Sequence, residues 1–417
     1  MFNQARYKIK YNLSKYNILL CLMTVMPVQA LYDNRFFPFF QNPFNITSDC
    51  QSHTRIGTFF TTSDEAFQLI DSELGIPELL GKYDQGSLAE AFVCIGKENP
   101  LKSEWRGAAI PWKLTGKIQS QGVTLSHRQN ITEHVDLGFY WNVMRIVSEH
   151  IFHLSSTGVT LNLAEGDRQE LDEIRRSMHE QLGLCGSFSQ EVGLSDIDLY
   201  IRFKKRWEYT LKFRTVEAAL RLGVLAPSGM SRSINNAASV PSGGNGHTGI
   251  YGQGELDLEL REDMTFGLRL WAAKRHEMIK KYRMACKNEH QLYGTIVGPA
   301  LVDPGFTVMF TPYITLENVR EGLGFRAQYW YVNHGADCWE DKRCDQTVPT
   351  NLTQNIQTSA WSKDYISLSA FYDTGKMKVI RDLSPLITLT WDIPTLWVGG
   401  KMIPKAHAVS LNIECSF

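Results

Sequence analysis

Between residues 254 and 272 the chain reads GELDLELREDMTFGLRLWA, which sets Leu256, Leu258 and Leu260 against Glu255, Asp257 and Glu259. Past Arg261-Glu262-Asp263, Met264, Phe266, Leu268 and Leu270 alternate with Thr265, Gly267 and Arg269. A period of two places successive side chains on opposite faces of a strand, so the segment predicts a hairpin with one apolar and one charged face. The pattern recurs in residues 306–332, where Phe306, Val308, Phe310, Pro312, Ile314 and Leu316 share a face and Leu323, Phe325, Ala327, Tyr329 and Tyr331 follow a short turn. It recurs again at Val135 to Val143, Ile197 to Phe203, Ile366 to Ala370 and Ile387 to Trp391. Pro312 cannot donate to a ladder and predicts a bulge or a weakly paired position. Residues 207–217 lose the phase.

Read this way, the chain has about 14 strands, near 53–62, 88–97, 112–121, 123–130, 135–147, 195–205, 210–225, 247–260, 264–273, 306–316, 323–332, 364–374, 386–393 and 406–417. Without the weak pair 112–121 and 123–130 the number is 12. Short turns alternate with long polar loops at 63–86, 148–194, 226–246, 274–305 and 333–363. Helical spacing appears inside two of these loops, at Phe67, Ile70 and Leu74 and at Leu171, Ile174, Met178 and Leu182. The loop APSGMSRSINNAASVPSGGNG is rich in Ser, Gly and Asn.

The chain ends HAVSLNIECSF, with Val409, Leu411, Ile413, Cys415 and Phe417 on one parity. With this ending, the sequence resembles a Gram-negative outer-membrane β-barrel protein. The resemblance implies a single antiparallel transmembrane barrel of all-β class, with short helices in its long loops. It also implies that Val409, Leu411, Ile413 and Phe417 act as the signal read by the barrel assembly machinery. Such barrels combine strands of roughly 10 residues, short periplasmic turns, long external loops and aromatic girdles. Placing Phe417 at the periplasmic end puts every long loop outside. Trp207, Tyr209, Tyr329, Tyr331, Trp361, Trp391 and Trp397 fall near strand ends, where a girdle is expected. A soluble exported sandwich is the competing architecture.

The N-terminus fits export. Arg6, Lys8, Lys10 and Lys15 precede an apolar run from Ile18 to Val28, and Val28-Gln29-Ala30 supplies small residues for cleavage. The expected organisation is a signal peptide over 1–30, a periplasmic or plug segment over 31–52 and a barrel over 53–417, in the bacterial outer membrane with its lipid as surroundings. The opening LYDNRFFPFFQNPFNITSDC is aromatic enough to plug the periplasmic mouth. Removing residues 1–30 leaves 39 basic against 44 acidic residues, a balance that argues against nucleic acid as a partner. Seven cysteines then remain. Cys338 and Cys344, in DCWEDKRC, are close enough to close a disulfide loop in an oxidising compartment, with two free thiols as the alternative.

In a barrel the polar parity faces the lumen, which places Glu255, Asp257 and Glu259 together with Arg202, Lys204, Arg269 and Arg326 along the pore. Opposed acidic and basic rows would filter solutes; equally, they could pair across a closed lumen. The chain has no Gly-x-Ser-x-Gly elbow and no clustered histidines, and the glycine-rich GNGHTGIYGQG precedes a strand rather than a helix. No catalytic residue, metal or cofactor is therefore expected. The expected function is a porin-like channel or transporter for small solutes. The alternatives are a surface interaction or adhesion protein with the barrel as anchor and, behind it, an outer-membrane hydrolase.

Overall fold

The computed structural model describes residues 34–38, 52–69, 72–155, 163–209, 211–376 and 385–416. Twelve long strands form one closed antiparallel barrel: β1 Ser52–Ser63, β2 Pro111–Thr132, β3 Val135–Leu154, β4 Ile197–Glu208, β5 Thr215–Ala226, β6 Gly249–Arg261, β7 Met264–Arg275, β8 Thr307–Arg320, β9 Leu323–His334, β10 Trp361–Asp373, β11 Leu386–Pro394 and β12 His407–Ser416. Each strand pairs with its sequence neighbours, and β1 pairs with β12 from His53 opposite Ser416 to Thr62 opposite His407. The closed ladder leaves no edge among these strands, the condition under which a sheet can sit in lipid.

The alternation of apolar and polar residues becomes outside and inside. At the closing seam Ile56 lies opposite Ile413 and Phe60 opposite Val409. Leu389 faces Leu411 from the other side. All of these are exposed, as are Leu199, Leu220, Leu270, Phe310 and Phe325. No helix among the described residues is long and apolar enough to cross a membrane; the outward belt of strands is the membrane-facing surface. The strand ends joined by the short connections, between β2 and β3, β4 and β5, β6 and β7, β8 and β9, and β10 and β11, lie at one end with the start of β1 and the end of β12; the strand ends joined by the long connections lie at the other.

The number twelve arises from two departures from the sequence reading. Residues 112–130 are a single strand, paired with β3 from Trp112 opposite Leu154 down to Thr132 opposite Val135. The segment 88–97 is not a strand: helix α1, Gln85–Cys94, is capped by Asp84, whose side chain accepts from the Gly86 N–H. It buries Leu88, Ala89, Ala91 and Phe92, a spacing of one and three residues that belongs to a helix face. The helix expected across Phe67 and Leu74 is replaced by paired strands Glu65–Leu69 and Ser72–Gly75. Helix α2, Glu165–Gln181, does form where Leu171 and Met178 predict it, and both are buried against Tyr83, Leu88, Phe92 and Trp112. A third helix, α3 (Thr353–Ser359), lies before β10.

Pro312 leaves Thr311 and itself without partners on β9, yet the pairs on either side, Phe310 with Tyr331 and Tyr313 with Gln328, keep one register. The interruption is a gap in the ladder and not a slip. Phase is lost at residues 209–214 because Tyr209, Leu211 and Lys212 adopt positive φ in the turn. Of the expected girdle residues, Trp207, Tyr209, Trp391 and Trp397 are exposed, whereas Trp361 points inward and is buried against His334. The signal-peptide region, Cys50 and Phe417 lie outside the described residues.

Candidate functional site

The short-turn half of the interior is built from the charged parity of the strands. Arg202 is the hub: its guanidinium meets Asp136 at 3.1 Å, Glu217 at 2.8 Å and Glu255 at 2.9 Å. Lys204 adds a second cation to Asp136 at 2.8 Å, and Arg221 a second to Glu255 at 3.0 Å. Tyr313 donates to Asp257, and Arg269 donates to the Tyr313 oxygen at 3.4 Å. Arg326 donates to Thr315 Oγ1 at 2.9 Å, and Arg55 reaches Glu414 at 2.6 Å. Glu259, nearer the rim, has Arg214 and Arg206 at 3.7 and 3.9 Å. The seven residues assigned to the lumen from sequence all point inward. The row Glu255, Asp257, Glu259 is not a free acidic stripe, because each member faces a donor or cation of the neighbouring strands.

Thr61 Oγ1, Ser120 Oγ, Thr311 Oγ1 and both amide atoms of Gln328 are buried and have no hydrogen-bond partner among the described residues. They come from β1, β2, β8 and β9 and face one lumen. Buried polar groups of this kind are normally satisfied by water.

The long-loop half is filled differently. Residues 34–38 lie within it and not at the short-turn mouth. Asn34 Nδ2 donates to Pro241 O at 2.8 Å, Arg35 Nη2 to Ser359 O at 3.0 Å, and Lys363 Nζ of β10 to Phe37 O at 2.7 Å. Phe36 and Phe37 join a buried cluster with Phe59, Val240, Trp271, Trp330 and Ile403. The glycine-rich loop ahead of β6 is shaped by the buried pair Asp196 and Arg275, 2.7 Å apart. Asp196 accepts from the N–H groups of Gly229 and Gly244, and a Cβ on Gly244 would lie 1.9 Å from the Arg275 guanidinium. Only glycine lets the loop pass that close.

Between this loop, residues 34–36, the strand Met278–Met284 and the loop 335–360 lies a cavity of about 220 Å³. Arg35, Arg232, Arg275, Lys280, Lys281 and Arg283 line it, against one carboxylate, Asp337. His247 and His334, scattered in sequence, meet here. Sequence reasoning missed this site because its cations come from loops without periodicity; the clustering of Lys280, Lys281 and Arg283 in one short strand was the only signal.

Cys338 and Cys344 are both free and exposed, so the expected pairing is not formed. Cys338 starts the short strand Cys338–Asp341 and the tight Asp341–Arg343 ion pair at 2.8 Å intervenes before Cys344. Among the described residues no group of three or more His, Cys, Asp or Glu could hold a metal.

A closed antiparallel barrel, apolar outside and charged within, has the architecture of an outer-membrane β-barrel. No family model matches the chain, and no curated protein matches it. Among solved structures it is similar to an outer membrane channel from Pseudomonas putida F1, with 11% identity and a TM-score of 0.46 over 91% of this chain and 100% of that one. It is also similar to the Pseudomonas putida toluene transporter TodX, with 11% identity and a TM-score of 0.32 over 89% of each chain. The translocator domain of the autotransporter NalP from Neisseria meningitidis matches at 8% identity and a TM-score of 0.34, over 89% of this chain and 91% of that domain. Likeness at this level leaves the functional reading to the chain's own residues.

Proposed function

We propose that the protein is a porin-like outer-membrane channel or transporter for small solutes. The observation that supports this reading is that Thr61, Ser120, Thr311 and Gln328, at inward positions of four strands, bury polar atoms that have no hydrogen-bond partner among the described residues. A lumen that served only as filler would pair such groups with one another, since each buried polar group left unsatisfied costs roughly 1–3 kcal/mol. Water or passing solute satisfies them instead. The charged network toward the short turns then acts as a filter whose fixed charges are held by their mutual pairing.

A second reading is favoured by a different observation: residues 34–38 and the loop around Val240 occupy the long-loop half of the interior. On that reading the barrel is an anchor and the folded external loops bind a partner. Conductance of the purified, refolded full chain in planar bilayers separates the two. Discrete openings support the channel; a correctly inserted barrel that stays silent with and without residues 31–38 supports the anchor.

A further inference from the structure

The cavity at the long-loop end has a composition that the channel reading does not itself require. Among the described residues, four of its cations, Arg35, Arg232, Lys280 and Arg283, have only uncharged oxygens as hydrogen-bond acceptors. Arg35 donates to Ser359 O, Arg232 to Ser239 O, Lys280 to Asn245 O, and Arg283 to Ile234 O, Gly294 O and Leu182 O. The one lining carboxylate, Asp337, is already engaged by the Gly305 N–H at 2.8 Å and by His334 at 3.0 Å. Arg275 is matched by Asp196 behind the wall. The wall is therefore left with an excess of positive charge.

Burial of these groups is costly. Arg35 is pushed down to about 10 by burial, opposed by Asp337, and Arg232 to about 10 by burial reinforced by the charge of Arg35. Both still carry a full charge at neutral pH, facing a like charge. Two donors are moreover without a hydrogen-bond partner among the described residues, Arg35 Nη1 and Trp339 Nε1, both from residues that line the cavity. A buried charged donor left unsatisfied is among the more expensive defects a protein can hold, and an anion beside Arg35 would satisfy its Nη1 and offset the like charges of Arg35 and Arg232. Trp339 and Trp361 also offer aromatic surface to the same space.

Resting on the channel reading, we propose that this cavity is a binding site for a small organic anion, its carboxylate or phosphate held by Arg35 and Arg232 and its apolar part lying against Trp339 and Trp361. The volume, about 220 Å³, is below the range of drug-sized sites and suits a solute with a single ring or short chain. The site would select the solute before it reaches the lumen.

The test is isothermal titration calorimetry of the detergent-solubilised full chain with three probes: benzoate, its neutral counterpart benzamide, and inorganic phosphate. Saturable binding of benzoate or phosphate with none of benzamide is expected, and the stronger of the two anions identifies the head group. Arg35→Gln combined with Arg232→Gln should weaken binding about tenfold or more, while Lys102→Gln, remote on an outer loop, should leave it unchanged. If the double variant loses its heat-modifiable mobility, Lys280→Gln, which keeps the buried pair, should still weaken binding severalfold. Equal affinity for benzoate and benzamide, or no binding of either anion by folded protein, overturns the proposal. Because the readout is binding, a chain that binds benzoate but never conducts would sink the channel and keep the site. One that conducts without binding would do the reverse.

Discussion

Lys363 Nζ donates to the main-chain oxygen of Phe37 at 2.7 Å, across 326 positions of sequence, and also to that of Asn34. A wall residue of β10, itself almost wholly buried, thus grips the short segment that occupies the upper lumen. Lys363→Met keeps length and apolar packing but removes every one of these bonds. The segment should then leave its seat in part of the population, seen as larger or more frequent openings in planar bilayers. Unchanged conductance in a folded variant would show that residues 34–38 do not obstruct the path.

The ion-pair network makes an asymmetric prediction about stability. Glu255 is buried and answers both Arg202 and Arg221, so Glu255→Gln takes the paired carboxylate from buried Arg221 and one of three from Arg202. Removing one partner of a buried pair costs about 3–5 kcal/mol. Glu259, with its cations 3.7 and 3.9 Å away and partly exposed, should cost less than about 1 kcal/mol as Glu259→Gln. Urea unfolding of the two variants in detergent checks the ordering; equal shifts would contradict it.

How much of this was legible in the chain depends on what fixed each feature. Strand parity is local: lipid outside and charge inside write a period of two, so Glu255 and Leu411 announce their faces without knowledge of any neighbour. The partners are not local. That Arg202 would meet Asp136, Glu217 and Glu255 depends on strand order and register, which sequence alone does not supply. Residues 88–97 misled because Leu88, Ala89, Ala91 and Phe92 satisfy a helix face as well as a short apolar run, and the Asp84 cap that decides between them sits just upstream. The basic cavity was invisible for the same non-local reason, being assembled from an N-terminal segment and three loops.

The closing seam predicts how the barrel tolerates charge. Leu411 points outward, opposite Thr58 on β1 and Leu389 on β11. Leu411→Arg should cost about 2–4 kcal/mol if it lies at bilayer mid-depth and reduce the fraction inserted, read as loss of heat-modifiable protein in the membrane fraction. Ser410→Arg, on the lumen parity, should insert far better. Equal insertion of both would refute the assigned faces.

Thiol chemistry distinguishes the cysteines. Cys338 and Cys344 are exposed and should alkylate rapidly in folded protein. Cys286 is buried and hydrogen-bonded to Cys94, and burial pushes its thiol up to about 12, so little thiolate exists at neutral pH and reaction should be slow. With oxidised glutathione, which takes up the two electrons and the thiol protons, exposed Cys338 and Cys344 should likewise form disulfides before Cys286 does. Mass spectrometry of unreduced peptides reads the order; Cys286 reacting first would count against it.

The external loops should loosen in acid. His179 on α2 is hydrogen-bonded through Nε2 to the Tyr83 hydroxyl at 2.8 Å and stacks on Tyr293 at 4.7 Å, and burial, with Arg175 nearby, holds it down to about 3. His290 accepts the Leu292 N–H at Nδ1 and donates from Nε2 to Pro77 O, which fixes it as the neutral tautomer, held down to about 4 mainly by burial. In the unfolded loops both would titrate near the ordinary histidine value of about 6.5. A depressed folded value means that the proton prefers the unlocked state, so the stabilisation is complete above about 6.5 and declines as pH falls toward the folded values. Between pH 6.5 and 4 the loop cap should therefore open while the barrel strands stay intact. Hydrogen exchange at pH 7 and, corrected for intrinsic rate, at pH 4.5 should show α2 and residues 290–293 losing protection and β7 keeping it. His179→Phe, which cannot take up the proton, should reduce that acid response; an identical response in the variant would place the pH dependence elsewhere.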